Sequence, residues 1–186
     1  MRAAPEAASI ARASVVIAPH RPEWGVGIVV ASAGRDARVF FLEGGRRTVE
    51  LDTEALVVVK ETQAQSDVVS AVVTSRPAAW TRSHHCVYVI LLSDDVRRRV
   101  RFRRENPRMQ ATMPCVYVGL TGLTPGQRFA NHRAHHKSGR YAGSHGRRLL
   151  PELYARFNPM PFRVGAAFEK YLAAALRREG YGVWQN

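Results

Sequence analysis

One tetrapeptide, Cys-Val-Tyr-Val, occurs twice in this chain, at residues 86–89 and 115–118, and the second copy runs directly into Gly119. Apart from its tyrosine each copy is apolar, with two β-branched valines, the composition of a strand packed on both faces. Read outwards, the two copies predict strands over His85–Leu92 and Cys115–Leu120. A helix start follows them: Thr124 offers a capping hydroxyl, Pro125 fills the first helical position, and Gln127 stands three residues after the cap. That helix is expected to run to about Lys137. Residues Gly139 to Gly146 read as loop, and Pro151–Phe157 as a short helix stopped by Asn158-Pro159-Met160-Pro161. A long helix is expected over Val164–Glu179, ended by Gly180, with Tyr181–Gln185 as a closing strand.

Upstream the pattern changes. Strand-like runs at Ser14–Ile17, Gly27–Ala31, Arg38–Leu42, Thr48–Leu51 and Leu56–Val59 are separated by turn signals at Pro22, Gly34-Arg35-Asp36 and Gly44-Gly45. Five short strands in so few residues predict a small β-barrel over residues 14–60. Residues 1–13 read as a disordered leader without the hydrophobic segment of a secretory signal. Residues 61–82 read as a linker, in which the valine-rich Val68–Val73 could add a strand to either neighbour. The chain is therefore expected to be α+β: a small N-terminal barrel, then, over residues 83–186, a small central antiparallel sheet flanked by helices.

Charge separates the same two regions. Residues 1–75 carry 8 Lys/Arg against 9 Asp/Glu, whereas residues 76–186 carry 20 against 6, so the net charge of +13 belongs to the second region. Eighteen of those twenty cations are arginines, whose planar forks match phosphate oxygens and stack on bases. Such a distribution points to nucleic acid. The candidate contacts are Arg97, Arg99, Arg101, Arg103 and Arg104 in an arginine-rich excursion, Ser93–Pro114, and Lys137, Arg140, Arg147 and Arg148 in and after the glycine-bounded loop. Val100 and Phe102 alternate with arginines, which suggests an extra basic strand. No apolar run approaches the roughly 18 residues of a membrane span. The two cysteines, each in a strand-like stretch, suggest a reducing cytoplasm and no disulfide framework. They would lie close if those strands are neighbours.

Two tyrosines, one arginine and one isolated carboxylate in basic surroundings suggest chemistry on a phosphodiester. Arg128 and His132 are one helical turn apart and share a face. Glu169 sits in alanine-rich, apolar company with Ala166, Ala167, Phe168 and Leu172. Magnesium keeps several waters and needs only one or two protein carboxylates plus substrate phosphate, so Glu169 would suffice for a one-metal site. Each residue has an ordinary reading too: strand tyrosines are commonly half-buried aromatics, and a helix arginine is commonly solvated. No paired-cysteine spacing or His-Glu-x-x-His string supports a zinc site.

The order of these residues resembles the GIY-YIG nuclease family. Cys86-Val87-Tyr88 stands where that family has Gly-Ile-Tyr, and Tyr117-Val118-Gly119 where it has Tyr-Ile-Gly. Arg128 and His132 match its helix motif, Glu169 its metal-binding glutamate, and Asn186 the asparagine that follows. Residues 83–186 depart from the family in the long gap between the tyrosine motifs, in Cys86 for glycine, and in Leu120 where a lysine is frequent. The resemblance implies catalytic roles for Tyr88, Tyr117, Arg128, His132 and Glu169, structural roles for Gly119 and Asn186, and one Mg2+ or Mn2+ ion on Glu169. It implies a metal-dependent DNA endonuclease, with either tyrosine as base or water positioner. A non-catalytic nucleic-acid-binding adaptor in repair or transcription, and an RNA nuclease, are the alternatives. Within the first region, Trp24-Gly25-Val26-Gly27, Val39-Phe40-Phe41 and Gly45-Arg46-Arg47-Thr48 resemble the SH3-like or Tudor-like modules of some bacterial helicases and repair factors, which implies a protein or nucleic-acid partner.

Overall fold

A computed structural model describes residues 10–59, 66–134 and 141–185. The chain forms two units, residues 1–77 and 78–186. Each has its own small sheet, and the class is α+β.

In the first unit, strands β1 (Val15–Ile17), β2 (Val26–Ala33), β3 (Asp36–Phe41), β4 (Gly45–Glu50) and β5 (Val57–Val58) form an antiparallel sheet in the order β4-β3-β2-β1-β5. Gly34, in the left-handed region at φ 59°, makes the tight turn between β2 and β3. Val16, Val29, Val39, Phe41 and Val49 form the core, with Trp24 and Leu56 packed against it. The expected barrel does not close: β4 and β5 are opposite edges of the sheet and do not pair. With two residues, both exposed, β5 is too short to offer a ladder.

Two expectations fail next to this sheet. Residues 10–13 belong to the fold, since Ile10 packs on the core and Ala13 donates its backbone N–H to Val29. Arg12 donates to the carbonyls of Val73 and Ser75. The valine-rich stretch is helix α1 (Ser66–Thr74), not a strand. Val68, Val69 and Val72 are its buried positions, a helical spacing, and burial against β2 outweighs the few tenths of a kcal/mol that each valine costs a helix. A short helix, α2 (Pro77–Thr81), follows and buries Trp80.

In the second unit, β6 (Cys86–Leu92), β7 (Cys115–Thr121), β8 (Gly146–Leu149) and β9 (Gly182–Gln185) pair in the order β8-β6-β7-β9. The sheet is mixed, not wholly antiparallel, because β9 runs parallel to β7. Antiparallel pairing of β6 and β7 sets Cys86 opposite Thr121, while Cys115 pairs with Gly182, so the two free thiols lie at opposite ends of the strands. The short helix α5 (Ala142–His145) stands where loop was expected, and strand β8 starts at the last residue of that loop and runs through residues for which the sequence predicted no element. Residues 151–157 are two 3-10 turns rather than one helix.

The arginine-rich excursion is helical too: a 3-10 turn over Asp94–Arg98, then helix α3 (Val100–Glu105). Val96 and Phe102 turn into the core while Val100 is 74% exposed, so the valine-phenylalanine alternation did not mark one face of a strand. Phe102 meets the rings of Tyr141 and Trp184, and the Arg101 guanidinium lies 5.2 Å from the centre of the Trp184 ring. Asn106, buried at the end of α3, closes the outer edge of β9. It accepts from the Val183 N–H at 2.7 Å and donates to the carbonyls of Val183 and Phe102, each at 3.0 Å. Asn158 does the same for β6, accepting from Val87 N–H at 2.9 Å and donating to Val87 C=O at 2.8 Å. Asn106→Ala leaves a buried N–H of β9 without its acceptor, and is expected to lower stability by about 2–3 kcal/mol in urea unfolding.

Helix α4 (Pro125–Arg133) starts as the sequence predicts. The Thr124 hydroxyl accepts from Gln127 N–H and the Gln127 side chain accepts from Thr124 N–H, both at 3.2 Å. Helix α6 (Phe162–Arg178) crosses the sheet and packs on β7 and β9. Gly165 allows this close approach, as a Cβ there would lie 2.7 Å from Leu120 Cδ1.

Candidate active site

Register brings the two tyrosines together. Tyr88 on β6 stands directly opposite Gly119 on β7, and Tyr117, two residues before Gly119, shares its side of the strand. Their ring centres are 5.9 Å apart. Gly119 makes the room: a Cβ there would lie 2.6 Å from both Cζ and Oη of Tyr88 and 2.8 Å from Tyr117 Cε1. Any larger residue must push a ring aside, which gives Gly119 a steric role independent of backbone angle.

Helix α4 supplies the next two groups. His132 Nε2 is 2.9 Å from Tyr88 Oη, and its ring centre is 5.5 Å from that of Tyr117. Arg128, one turn earlier and half-buried, hydrogen-bonds the Tyr88 hydroxyl, as does Tyr117. Helix α6 adds Glu169, one turn after Gly165 and half-buried, close enough for its charge to act on both phenols. Gln185, on β9, hydrogen-bonds the Glu169 carboxylate. Among the described residues Glu169 makes no ion pair. Thus Tyr88, Tyr117, Arg128, His132 and Glu169, spread over more than eighty residues of chain, come together in one place.

Burial dominates the electrostatics. Tyr88, Tyr117 and His132 are 1%, 2% and 0% exposed. Burial raises both phenols above their ordinary value, but the neighbours divide them. Hydrogen bonds from Arg128 and Tyr117 favour the Tyr88 phenolate, while the Tyr88 oxygen and Glu169 both oppose charge on Tyr117. Tyr88 is the phenol better placed to lose its proton. Burial, helped by Arg128, lowers His132 to about 4, so its imidazole is neutral at pH 7. Burial raises Glu169 to about 7, against the Gln185 hydrogen bond and Lys170. Lys170 favours its charge but makes no ion pair with it among the described residues, so this half-buried carboxylate is chemically suited to a metal ion. Glu169 and the Gln185 amide oxygen are the protein groups that would hold one.

His132 and Glu169 act oppositely on stability. His132, near 6.5 unfolded and about 4 folded, stabilises fully above pH 6.5 and loses that stability as pH falls to about 4. Glu169, near 4.5 unfolded and about 7 folded, loses stability as pH rises across that interval. The parent should be nearly flat between pH 4.5 and 6.5. With Glu169→Gln, His132 titrates unopposed, and urea unfolding should show stability rising by on the order of 2–3 kcal/mol from pH 4 to 6.5.

The proposed nucleic-acid contacts divide. Arg97 is committed to the fold: it pairs with Asp94 at 3.2 Å and donates to the carbonyls of Gln110, at 3.1 Å, and Met113. Arg99, Arg101, Arg103 and Arg104 are exposed around α3, and Arg147 and Arg148 are exposed on β8. Lys137, Arg140 and Asn186 lie outside the described residues. Gln185, its neighbour, is the amide found at Glu169, a residue the sequence reading missed. Its signal was available: it is the last polar side chain of a strand predicted to follow the helix that carries Glu169.

The second unit is thus an α+β fold built around a buried Tyr–Tyr–His cluster bordered by an arginine and a glutamate. Residues 11–59, in the first unit, are similar to a family described as a protein of unknown function (DUF3553). No curated protein and no solved structure matches the chain. Among the described residues no helix is long and apolar enough to cross a membrane.

Proposed function

We propose that the second unit is a metal-dependent DNA endonuclease of the GIY-YIG type, and that the first unit binds a protein or nucleic-acid partner. The observation that carries this reading is the meeting of Tyr88, Tyr117, Arg128, His132 and Glu169 in one cluster. A Mg2+ or Mn2+ ion held by Glu169 would supply charge stabilisation at the phosphoryl oxygens. The chain's own groups do the rest. Arg128 has five N–H donors in a rigid fork, enough to hold Tyr88 Oη and a phosphate oxygen together. Tyr88 Oη passes its own proton to Nε2 of neutral His132, 2.9 Å away. It takes the proton of the attacking water as the new P–O bond forms and the bond to the leaving oxygen breaks, the leaving oxygen gaining a proton from solvent. Tyr117 donates to Tyr88 Oη and steadies its negative charge. Neutral His132 holds the Tyr88 hydroxyl in position.

Nicking of a supercoiled plasmid with Mg2+ or Mn2+, against a chelator control, tests the reading. Absence of cleavage of duplex, branched and single-stranded DNA and of RNA would retire it. Cleavage of RNA alone would keep the chemistry and change the substrate. The near-complete burial of Tyr88, Tyr117 and His132 favours a second reading, a non-catalytic nucleic-acid-binding adaptor, whose signature is binding without cleavage.

A further inference from the structure

A cavity of about 500 Å³ opens between the C-terminal end of α6 and the segment that follows α3. It is lined by Arg108, Arg177 and Arg178, with Gln110 and Tyr181, and Glu105 is its acidic member. None of these residues belongs to the tyrosine cluster. Arg177 is half-buried and anchored by one arm, Nη2, which donates to Val183 C=O at 3.2 Å. Its Nε is buried and has no hydrogen-bond partner among the described residues. Nε itself is closed off from the cavity's open space, so an anion there would meet the lining edge of the Arg177 guanidinium together with the exposed Arg108 and Arg178. Three guanidinium groups against one carboxylate leave the lining positive. Arg101, Arg103 and Arg104, exposed on α3, precede Glu105 in the chain.

We propose that this cavity binds a phosphate group of a nucleic-acid strand, separate from the one at the tyrosine cluster. This deepens the nucleic-acid reading above and rests on it. Arg177 is two turns past Glu169 on α6, about 12 Å along the axis. At about 3.4 Å of rise per nucleotide, that is roughly three to four nucleotides along one strand. The cavity therefore holds the strand at a fixed distance from the tyrosine cluster. Its phosphate is either an internal diester or a terminal monoester.

The test is fluorescence anisotropy of the full chain, in chelator, with a labelled duplex carrying either a 5′-phosphate or a 5′-hydroxyl. Arg108→Ala with Arg178→Ala changes two exposed residues and should weaken binding at least tenfold, with the salt slope falling by about 1–2. A charge-matched control, Arg76→Ala with Arg82→Ala, also alters exposed arginines but lies outside the cavity, and should change affinity far less. Arg177→Lys keeps the charge, loses the fork, and should weaken binding without changing the salt slope. Equal losses on the two duplexes assign an internal diester, and loss of a preference for the 5′-phosphate assigns a terminus. Unchanged affinity in the double variant, an equal loss in the control, or no binding of either duplex by the parent overturns the proposal. Cavity-dependent binding by a protein that never cleaves would keep this site and retire only the nuclease reading.

Discussion

Glu169→Ala should abolish metal-dependent nicking, by at least about a thousandfold, and leave DNA affinity measured in chelator within about twofold of the parent. The cluster's reach toward a cation depends on this carboxylate. Among the described residues no group of three or more His, Cys, Asp or Glu side chains comes together to replace it. Glu169→Gln should fail equally, because the amide keeps the shape and loses the charge. Its burial carries a further expectation: raised to about 7, the carboxylate is held ionised at pH 8 against its surroundings. Glu169→Gln should therefore unfold at higher urea concentration than the parent at pH 8 and lose that advantage at pH 5. Undiminished cleavage by either variant would remove Glu169 from the site.

Tyr88→Phe should lower the plateau nicking rate at saturating DNA by about 10²–10³-fold, and Tyr117→Phe by roughly tenfold. The two phenols differ in their neighbours rather than in their depth. Tyr88 Oη is touched by His132 and receives hydrogen bonds from Arg128 and Tyr117, so its loss dismantles the network. The Tyr117 hydroxyl is a donor to that oxygen, and removing it takes away one support. Tyr88→Phe also removes the 2.9 Å hydrogen bond to His132 Nε2, for an expected stability loss of about 1 kcal/mol. Plateau rates of folded variants separate that effect from chemistry. Equal losses, or a larger loss in Tyr117→Phe, would exchange the roles of the two tyrosines.

The residues that meet in this cluster were legible because each sits on an element with a strong local signal. Tyr88 and Tyr117 lie on apolar β-branched strands, Arg128 and His132 follow a capping box, and Glu169 lies on a helix ended by glycine. What the sequence obscured depended on tertiary burial. Val68–Val73 has strand composition but a helical burial pattern that becomes visible only against β2. Val100 and Phe102 alternate like strand residues, yet only Phe102 faces the core. Strand β8 is four residues long, two of them arginine, and forms because β6 offers it an edge. Arg97 looked like its neighbours and differs from them only in the carbonyls it reaches.

Sealing of the second unit's sheet margins by asparagine amides limits how this unit can associate. A strand from another molecule needs a row of available N–H and C=O groups. Asn106 occupies such groups at Val183, Asn158 and Leu150 take those of β6 beyond the end of β8, and Met160 takes the carbonyl of His85 just before β6. The remaining margin, β8, is brief and carries two cations that repel a second copy of itself. Strand exchange along these margins is accordingly disfavoured, which favours docking on this unit through helices, loops and side chains.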